Sequence, residues 1–333
     1  MYYILKLQNK TLRSRVKPGI CVSMRAAIYE KYGPPEVVQI RDVPKPDPKR
    51  NEILVKIIAS TVSAGDSRMR SLNVPGNFFV KIMARLFLGI RSPRKKILGM
   101  QVAGQVEAVG ESVIQFKVGD DIFASTYDTG FGGHAEYKCF PEDTVISLKP
   151  SNISYEEAAT YPVPALGAYT TLKKANILPG QKVLVYGASG AVGTNVIQLA
   201  KYWGAETTGV CSESNFEMVR SLGADHLIDY NKTDFTQTGE KYDVIIDAVL
   251  KISSSKSKIA LKANGIFLSI GDQSKEEIAH LIELKEIIED GKLKAVIDRT
   301  YPLEDIVEAY QYVDTGHKKG NVVLTLSERP TTW

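Results

Sequence analysis

A run of glycines and small residues, Gly187-Ala188-Ser189-Gly190-Ala191-Val192-Gly193, restricts what this chain can fold into more than any other segment. Before it, Lys182–Tyr186 has the apolar, branched makeup of a strand. After it, Ala191–Trp203 places Val192, Val196, Leu199 and Trp203 on one helical face. A glycine turn between strand and helix lets backbone approach a phosphate closely, and the helix N-terminus offers free N–H groups and a positive dipole end. Ala188 stands where the usual G-x-G-x-x-G pattern begins with glycine, so the bare pattern is weak. Its setting in a βαβ unit makes it a dinucleotide turn, with Gly187, Ser189, Gly190, Ala191 and Val192 at the cofactor and Gly193 letting helix pack on strand.

The alternation continues with strands at Glu206–Val210, His226–Asp229, Val244–Asp247 and Ile266–Ile270, and a helix at Asn215–Leu222 ended by Gly223. This rhythm predicts a parallel, doubly wound α/β sheet. Lys275–Asp290 reads as a helix stopped by Gly291, Pro302 as the opening of another, and Asn321–Leu326 as a last strand, the final two returning to the first domain. Ahead of Pro150 the pattern is short strands and turns: Ile53–Ile58, a bent strand at Val102–Gly110, and two apolar arms around Gly119. That half reads as a small β-barrel. The changes of rhythm set a barrel-like catalytic domain at 24–148 and 293–333, and a cofactor-binding domain at 149–292.

The formal charge of +4 over 333 residues gives no argument for nucleic acid. No apolar run reaches the ~20 residues that span a membrane. Three cysteines, Cys21, Cys139 and Cys211, form no C-x-x-C pair, which fits free thiols in a reducing, cytoplasmic setting. Residues 1–23 carry Lys6, Lys10, Arg13, Arg15 and Lys17 without an acid, but the charges interrupt every apolar run, unlike a secretory signal. They read as a disordered basic extension or an upstream alternative start, with the fold beginning at Met24. Within 74–96, Phe78, Phe79, Ile82, Met83, Leu86, Phe87 and Ile90 recur at helical spacing among basic residues. The plain reading is a helix capping a cleft; lying on a membrane surface is the alternative.

Cofactor type is read at the end of the second strand, where an acid would bind the ribose 2′-hydroxyl of NAD. This chain has Val210-Cys211-Ser212 there, and Ser212, Ser214 and Asn215 suit a 2′-phosphate, so NADPH is expected, with Glu213 the one objection.

The chain resembles the medium-chain dehydrogenase/reductase superfamily, in its zinc-free quinone oxidoreductase branch. The resemblance runs from Met24 to Leu326. It is carried by Met24-Arg25-Ala26-Ala27 with Tyr32-Gly33-Pro34-Pro35, Leu98-Gly99-Met100 through Val109-Gly110, Phe116–Asp120 and Gly132-Gly133-His134-Ala135-Glu136-Tyr137. The nucleotide turn, Ser221-Leu222-Gly223-Ala224-Asp225 and His317–Leu324 complete it. It implies a chaperonin-10-like barrel with a Rossmann domain inserted before the C-terminal segment. Zinc-dependent relatives carry Cys within Val62–Asp66 and His-Glu at Met100-Gln101, so no zinc is expected. The implied acceptor is then already activated, a quinone or an α,β-unsaturated carbonyl.

The resemblance also places Ser63 and Asp66 in the cleft, and Tyr127 is the candidate for orienting or protonating substrate. It suggests Tyr230 near the adenosine phosphate, Ala248 and Val249 lining the pocket, and Lys319 or Asn321 reaching the cofactor. Tyr161–Gly167 would lie on the nicotinamide side, although relatives have Thr where Gly167 stands. After Gly271 the chain lacks a few dozen residues that in relatives form a loop, a helix and an edge strand, which puts the family dimer and closure of the site in question. Two readings of function result: a hydride-transferring reductase, and an NADPH-binding regulatory or interaction protein with little catalysis.

Overall fold

The structure, a computed structural model, describes residues 22–74, 78–272 and 276–326. Apart from Val22 and Ser23, the basic extension read over 1–23 lies outside the described residues. Among those described, seven strands precede residue 150: β1 (Ser23–Tyr29), β2 (Val38–Pro44), β3 (Glu52–Val62), β4 (Gln101–Val109), β5 (Asp121–Ser125), β6 (Tyr137–Pro141) and β7 (Ile146–Leu148). The middle of the chain holds β8 (Lys182–Tyr186), β9 (Glu206–Cys211), β10 (His226–Asp229), β11 (Tyr242–Asp247) and β12 (Leu261–Ser269). Then come β13 (Ile297–Pro302) and β14 (Asn321–Thr325).

β3 is the hub of the barrel. The sheet runs β13-β14-β3-β4-β5-β7, and β6 pairs with the first half of β3. Ile53, Val55 and Ile57 fill the barrel core, while Ala59 belongs to the core shared with the other half. A strand this long stays in a closed sheet by bending. Its pairing with β4 slips between Leu54 and Val55 and again between Ile57 and Ala59. Gly104 sits at the second slip, where a Cβ would stand 2.2 Å from the Lys56 carbonyl oxygen.

The middle strands form an all-parallel sheet in the order β10-β9-β8-β11-β12. Alternation sends Val183 and Val185 of β8 into one core and Leu184 into the other. The fold is thus the doubly wound α/β sheet plus barrel that the rhythm and the resemblance predict. β12 begins at Leu261, ahead of the apolar run at Ile266, because Lys262, Ala263 and Asn264 are exposed edge positions with no apolar signature. The helix expected from Lys275 is observed over Ile278–Glu289, and residues 273–275 lie outside the described ones. Pro302 ends β13, and the last helix, Ile306–Asp314, starts only after a 3-10 turn at Leu303–Asp305.

The Phe78–Leu88 helix forms where its spacing predicts, yet none of its residues is buried. Leu88 packs on the barrel and Gly89 accepts a hydrogen bond from the Tyr32 hydroxyl at 2.9 Å. Its last turn walls a cavity of about 600 Å³ against the barrel, and the rest stands clear.

Helices Ala64–Ser71 and Ile306–Asp314 are tied together by Arg70, which is 1% exposed. Its guanidinium meets Asp314 at 2.5 Å, donates to the Gly33 carbonyl and lies 5.0 Å from the Tyr310 ring centroid. Replacing Asp314 by alanine leaves that buried charge one partner short. We expect a loss of about 2–3 kcal/mol, at the low end for a broken buried pair because Gly33 and Tyr310 remain. Urea denaturation measures it, and a loss below about 0.5 kcal/mol would show that the pair holds nothing together.

Candidate functional site

The turn after β8 is built from positions that refuse a side chain. Gly187 has φ +84, and a Cβ there would come 2.4 Å from a methyl of Val249. A Cβ on Gly193 would meet the Gly187 carbonyl oxygen at 2.1 Å, backbone against backbone. Gly190 is the N-cap of the Ala191–Tyr202 helix and offers no side-chain cap. The first N–H groups of the helix therefore have no partner of that kind, which is the arrangement that receives an anion. Ala188 is fully buried, and its methyl fits because residue 209 opposite is glycine: a Cβ on Gly209 would be 3.1 Å from it.

The C-terminal segment closes on this turn. Gly320 forms a parallel bridge with Gly190, and its N–H donates to the Ser189 carbonyl at 2.8 Å. Of the two candidates read from this segment, Lys319 donates its backbone N–H to Asp298 at 2.8 Å, and the Asn321 side-chain amide donates to the Val296 carbonyl at 3.3 Å. Their neighbour Lys318, which sequence reasoning passed over, places its ammonium 2.5 Å from the Gly320 carbonyl oxygen. Burial pushes its pKa down to about 8, against the opposing pull of Asp298. The H-K-K-G-N spacing does not mark which of the two lysines bonds the Gly320 carbonyl; in the fold it is Lys318.

At the other end, β9 leads to Ser212, whose hydroxyl lies 3.1 Å from that of Ser214 and accepts from the Asn215 amide at 3.0 Å. Asn215 is 8% exposed, and its side-chain oxygen is buried without a hydrogen-bond partner. Glu213 is turned aside by Lys232, 2.6 Å away. Tyr230 is half exposed beyond β10. Ala248 is buried at the end of β11, and Val249, over Gly187, is held by an N–H bond to Asp247 at 3.0 Å.

On the barrel side the structure corrects one expectation. Asp66 does not face a cleft. It is fully buried, one carboxylate oxygen accepting from the Ser63 N–H and hydroxyl at 2.9 and 2.6 Å, the other from the Gly99 N–H at 2.9 Å. It caps the Ala64–Ser71 helix together with Ser63. Ser63 stays partly open beside the Met100 sulfur, at 3.6 Å. Gln101 donates to Thr61 at 2.8 Å and accepts from the Val163 N–H at 2.9 Å, joining barrel to nucleotide half. His134 is buried between Thr61 and Tyr310, and burial lowers its pKa. Tyr127 is 54% exposed and packs edge-on to Phe131 in the cavity behind Phe87. That cavity is lined by barrel residues and the Phe78–Leu88 helix, so Tyr127 and the glycine turn do not share it. Among the described residues no three His, Cys, Asp or Glu side chains stand close enough to hold a metal ion.

One further group was not legible in the sequence. Glu276, on the short connection from β12 to the Ile278–Glu289 helix, has one carboxylate oxygen buried without a partner. Burial pushes its pKa up to about 7, the Ser125 hydroxyl opposing this and Asp128 adding to it. The connection after β12 thus brings a carboxyl to the barrel loop that carries Tyr127.

Two family models match, the alcohol dehydrogenase GroES-like domain over residues 49–150 and the zinc-binding dehydrogenase over 191–302. A 2-methylene-furan-3-one reductase of Solanum lycopersicum is 32% identical, the match covering 90% of this chain and 79% of the relative. An NADPH-dependent alkenal/one oxidoreductase of Arabidopsis thaliana is 30% identical, with the same coverage of 90% and 79%. The solved quinone oxidoreductase of Coxiella burnetii superposes with a TM-score of 0.81 at 27% identity, covering 92% of this chain and all of that one. The chain belongs to the medium-chain dehydrogenase/reductase superfamily and is quinone oxidoreductase-like. As such it is an oxidoreductase that works with a nicotinamide dinucleotide.

Glu276 allows a test of the site's electrostatics without any ligand. Its folded pKa lies above the ordinary value, so the fold favours the protonated form. The stability it contributes is complete below pH about 4.5 and is lost as pH rises through about 7. Glu276→Gln should remove that loss, about 3 kcal/mol, and so raise stability at pH 8 relative to the parent. Thermal melts over this pH range decide it; parallel slopes in both proteins would discard the assignment.

Proposed function

We propose that the protein is an NADPH-dependent, zinc-independent reductase of quinones or α,β-unsaturated carbonyls. The observation that carries the reading is the acid-free end of β9: Ser212, Ser214 and Asn215 cluster there, and Glu213 is drawn away by Lys232. Serine hydroxyls and an amide serve a 2′-phosphate where a carboxylate would repel it. In this reading the turn from Gly187 to Gly193 holds the pyrophosphate, Tyr230 flanks the adenosine phosphate, and Ala248 and Val249 wall the nicotinamide side. Lys319 and Asn321 serve by fixing the segment that presents Lys318. Bound there, the cofactor supplies a hydride.

The residues that stand where zinc-dependent relatives have ligands are Ser63, Met100 and Gln101, none of them suited to Zn²⁺ in a three-ligand catalytic set. Polarisation of the acceptor carbonyl then falls to hydrogen bonds and to its own conjugation. Tyr127 is half exposed and takes that role, and Ser63, whose proton is held by Asp66, lines the site beside Met100. Asp66 acts one step back, as the group that orients Ser63. Simple alcohols lack the conjugation and are poor substrates in this reading. The free thiols Cys139 and Cys211 agree with a cytoplasmic setting.

Stopped-flow loss of nicotinamide absorbance with a panel of quinones and enals tests the activity. We expect turnover with NADPH preferred over NADH, and the preference reduced about tenfold or more in Ser212→Asp, where a carboxylate opposes the phosphate. Tight NADPH binding with no turnover for any acceptor would instead leave the regulatory reading standing.

Lys318 predicts a pH dependence. Its ammonium favours a phosphate only while protonated, so NADPH affinity of the free protein should fall as pH rises through about 8. Titration calorimetry should show the dissociation constant rising up to about tenfold per pH unit above that point. Lys318→Met should bind more weakly and without this dependence. An unchanged pH profile in the variant would assign the titration to another group.

A further inference from the structure

The Phe78–Leu88 helix leaves a wide apolar side uncovered among the described residues. Phe79, Met83 and Phe87 follow at spacings of four, one stripe of the helix, and are 76%, 63% and 73% exposed; Ile90, just past the helix end, is 56% exposed. Phe78, Ile82 and Leu86 widen the stripe. Leu88, which packs on the barrel, lies on the opposite side, so the helix rests on the protein by its narrow face. A patch of this size on a soluble domain marks an interaction surface.

Charge selects the occupant. Between Asn73 and Lys96 there is no acid, and six cations stand there: Lys81, Arg85, Arg91, Arg94, Lys95 and Lys96. Lys96 is met by Glu30 at 2.9 Å and Arg85 donates to the Ile90 carbonyl at 3.0 Å. A second copy docked on the same face would bring like charges together with no acid in the segment to offset them. The eleven-residue helix is too short to span a bilayer. A basic helix with a broad apolar stripe is instead suited to lie in the plane of a bilayer interface.

We propose that this helix seats the protein on an anionic lipid surface, its apolar stripe among the acyl chains and its cations at the headgroup phosphates. The cavity behind Phe87 and Leu88, which reaches Tyr127, then lies against the bilayer, and an acceptor dissolved in lipid enters it without crossing water. That last consequence rests on the reductase reading, whereas the lipid seat does not.

The full chain is sedimented with vesicles of phosphatidylcholine alone and with vesicles that also contain phosphatidylserine, with no cofactor or acceptor present. We expect binding to the anionic vesicles, weakened by high salt. The pair Lys81→Gln and Arg85→Gln should lower partitioning about tenfold or more. The pair Phe79→Glu and Met83→Glu should abolish it, while melting temperature and turnover of a water-soluble quinone stay at parental values. Binding without turnover keeps the lipid seat and removes only the reductase reading. No binding, equal binding to both vesicles, or indifference to both variant pairs overturns the proposal. So does a lipid-free dimer in sedimentation velocity that the Phe79→Glu and Met83→Glu pair splits, since a second copy would then be the occupant.

Discussion

The contact between Gly320 and the glycine turn sets the geometry on which the rest of the site depends. One short segment belongs to both halves of the molecule. Its first residue bridges Gly190, and from Asn321 onward it lies between β3 and β13 in the barrel sheet. Because backbone hydrogen bonds are directional and short-ranged, this junction fixes where the turn faces relative to the barrel wall. The apolar body behind it is continuous: Ala59, Ala103, Phe123 and Val323 of the barrel pack in one cluster with Leu166, Leu172 and Val185 of the other half. A fold joined in this way ties the cofactor turn directly to the barrel sheet.

On the barrel side, hydrogen bonds and packing join the loops at the positions that the resemblance assigns to metal ligands. Asp66 gathers three donors from Ser63 and Gly99, and the Gln101 amide spans from Thr61 to Val163. A buried carboxylate with this many donors is held in one orientation, which suits a scaffold. The Ser63 hydroxyl is taken up by the helix cap, while the Tyr127 side chain stays half exposed.

Much of the architecture was legible because it rests on periodicity and glycine. The strand at Lys182–Tyr186, the helix after Gly190 and the barrel bend near Gly104 each leave a local mark in the sequence. What was not legible depends on contacts far apart in the chain. Asp66 looks like a cleft acid until Gly99 is seen to claim its second oxygen. Lys318 and Lys319 are adjacent and chemically alike, and only the folded chain shows that Lys318 bonds the Gly320 carbonyl. Glu276 is an ordinary acid in the sequence until the fold sets it against Ser125. The exposed first half of β12 carries no apolar signal because nothing covers it.

The small residues at 188 and 209 carry a consequence for inheritance. Ala188 keeps its methyl only because Gly209 on the neighbouring strand has none, and Val219 and Leu227 close the remaining space around that glycine. The two positions share one volume. A methyl at 209 would meet Val219 first and Ala188 next, so glycine at 188 frees only part of that space, and growth at 209 among descendants of this fold requires a smaller residue at 219 as well.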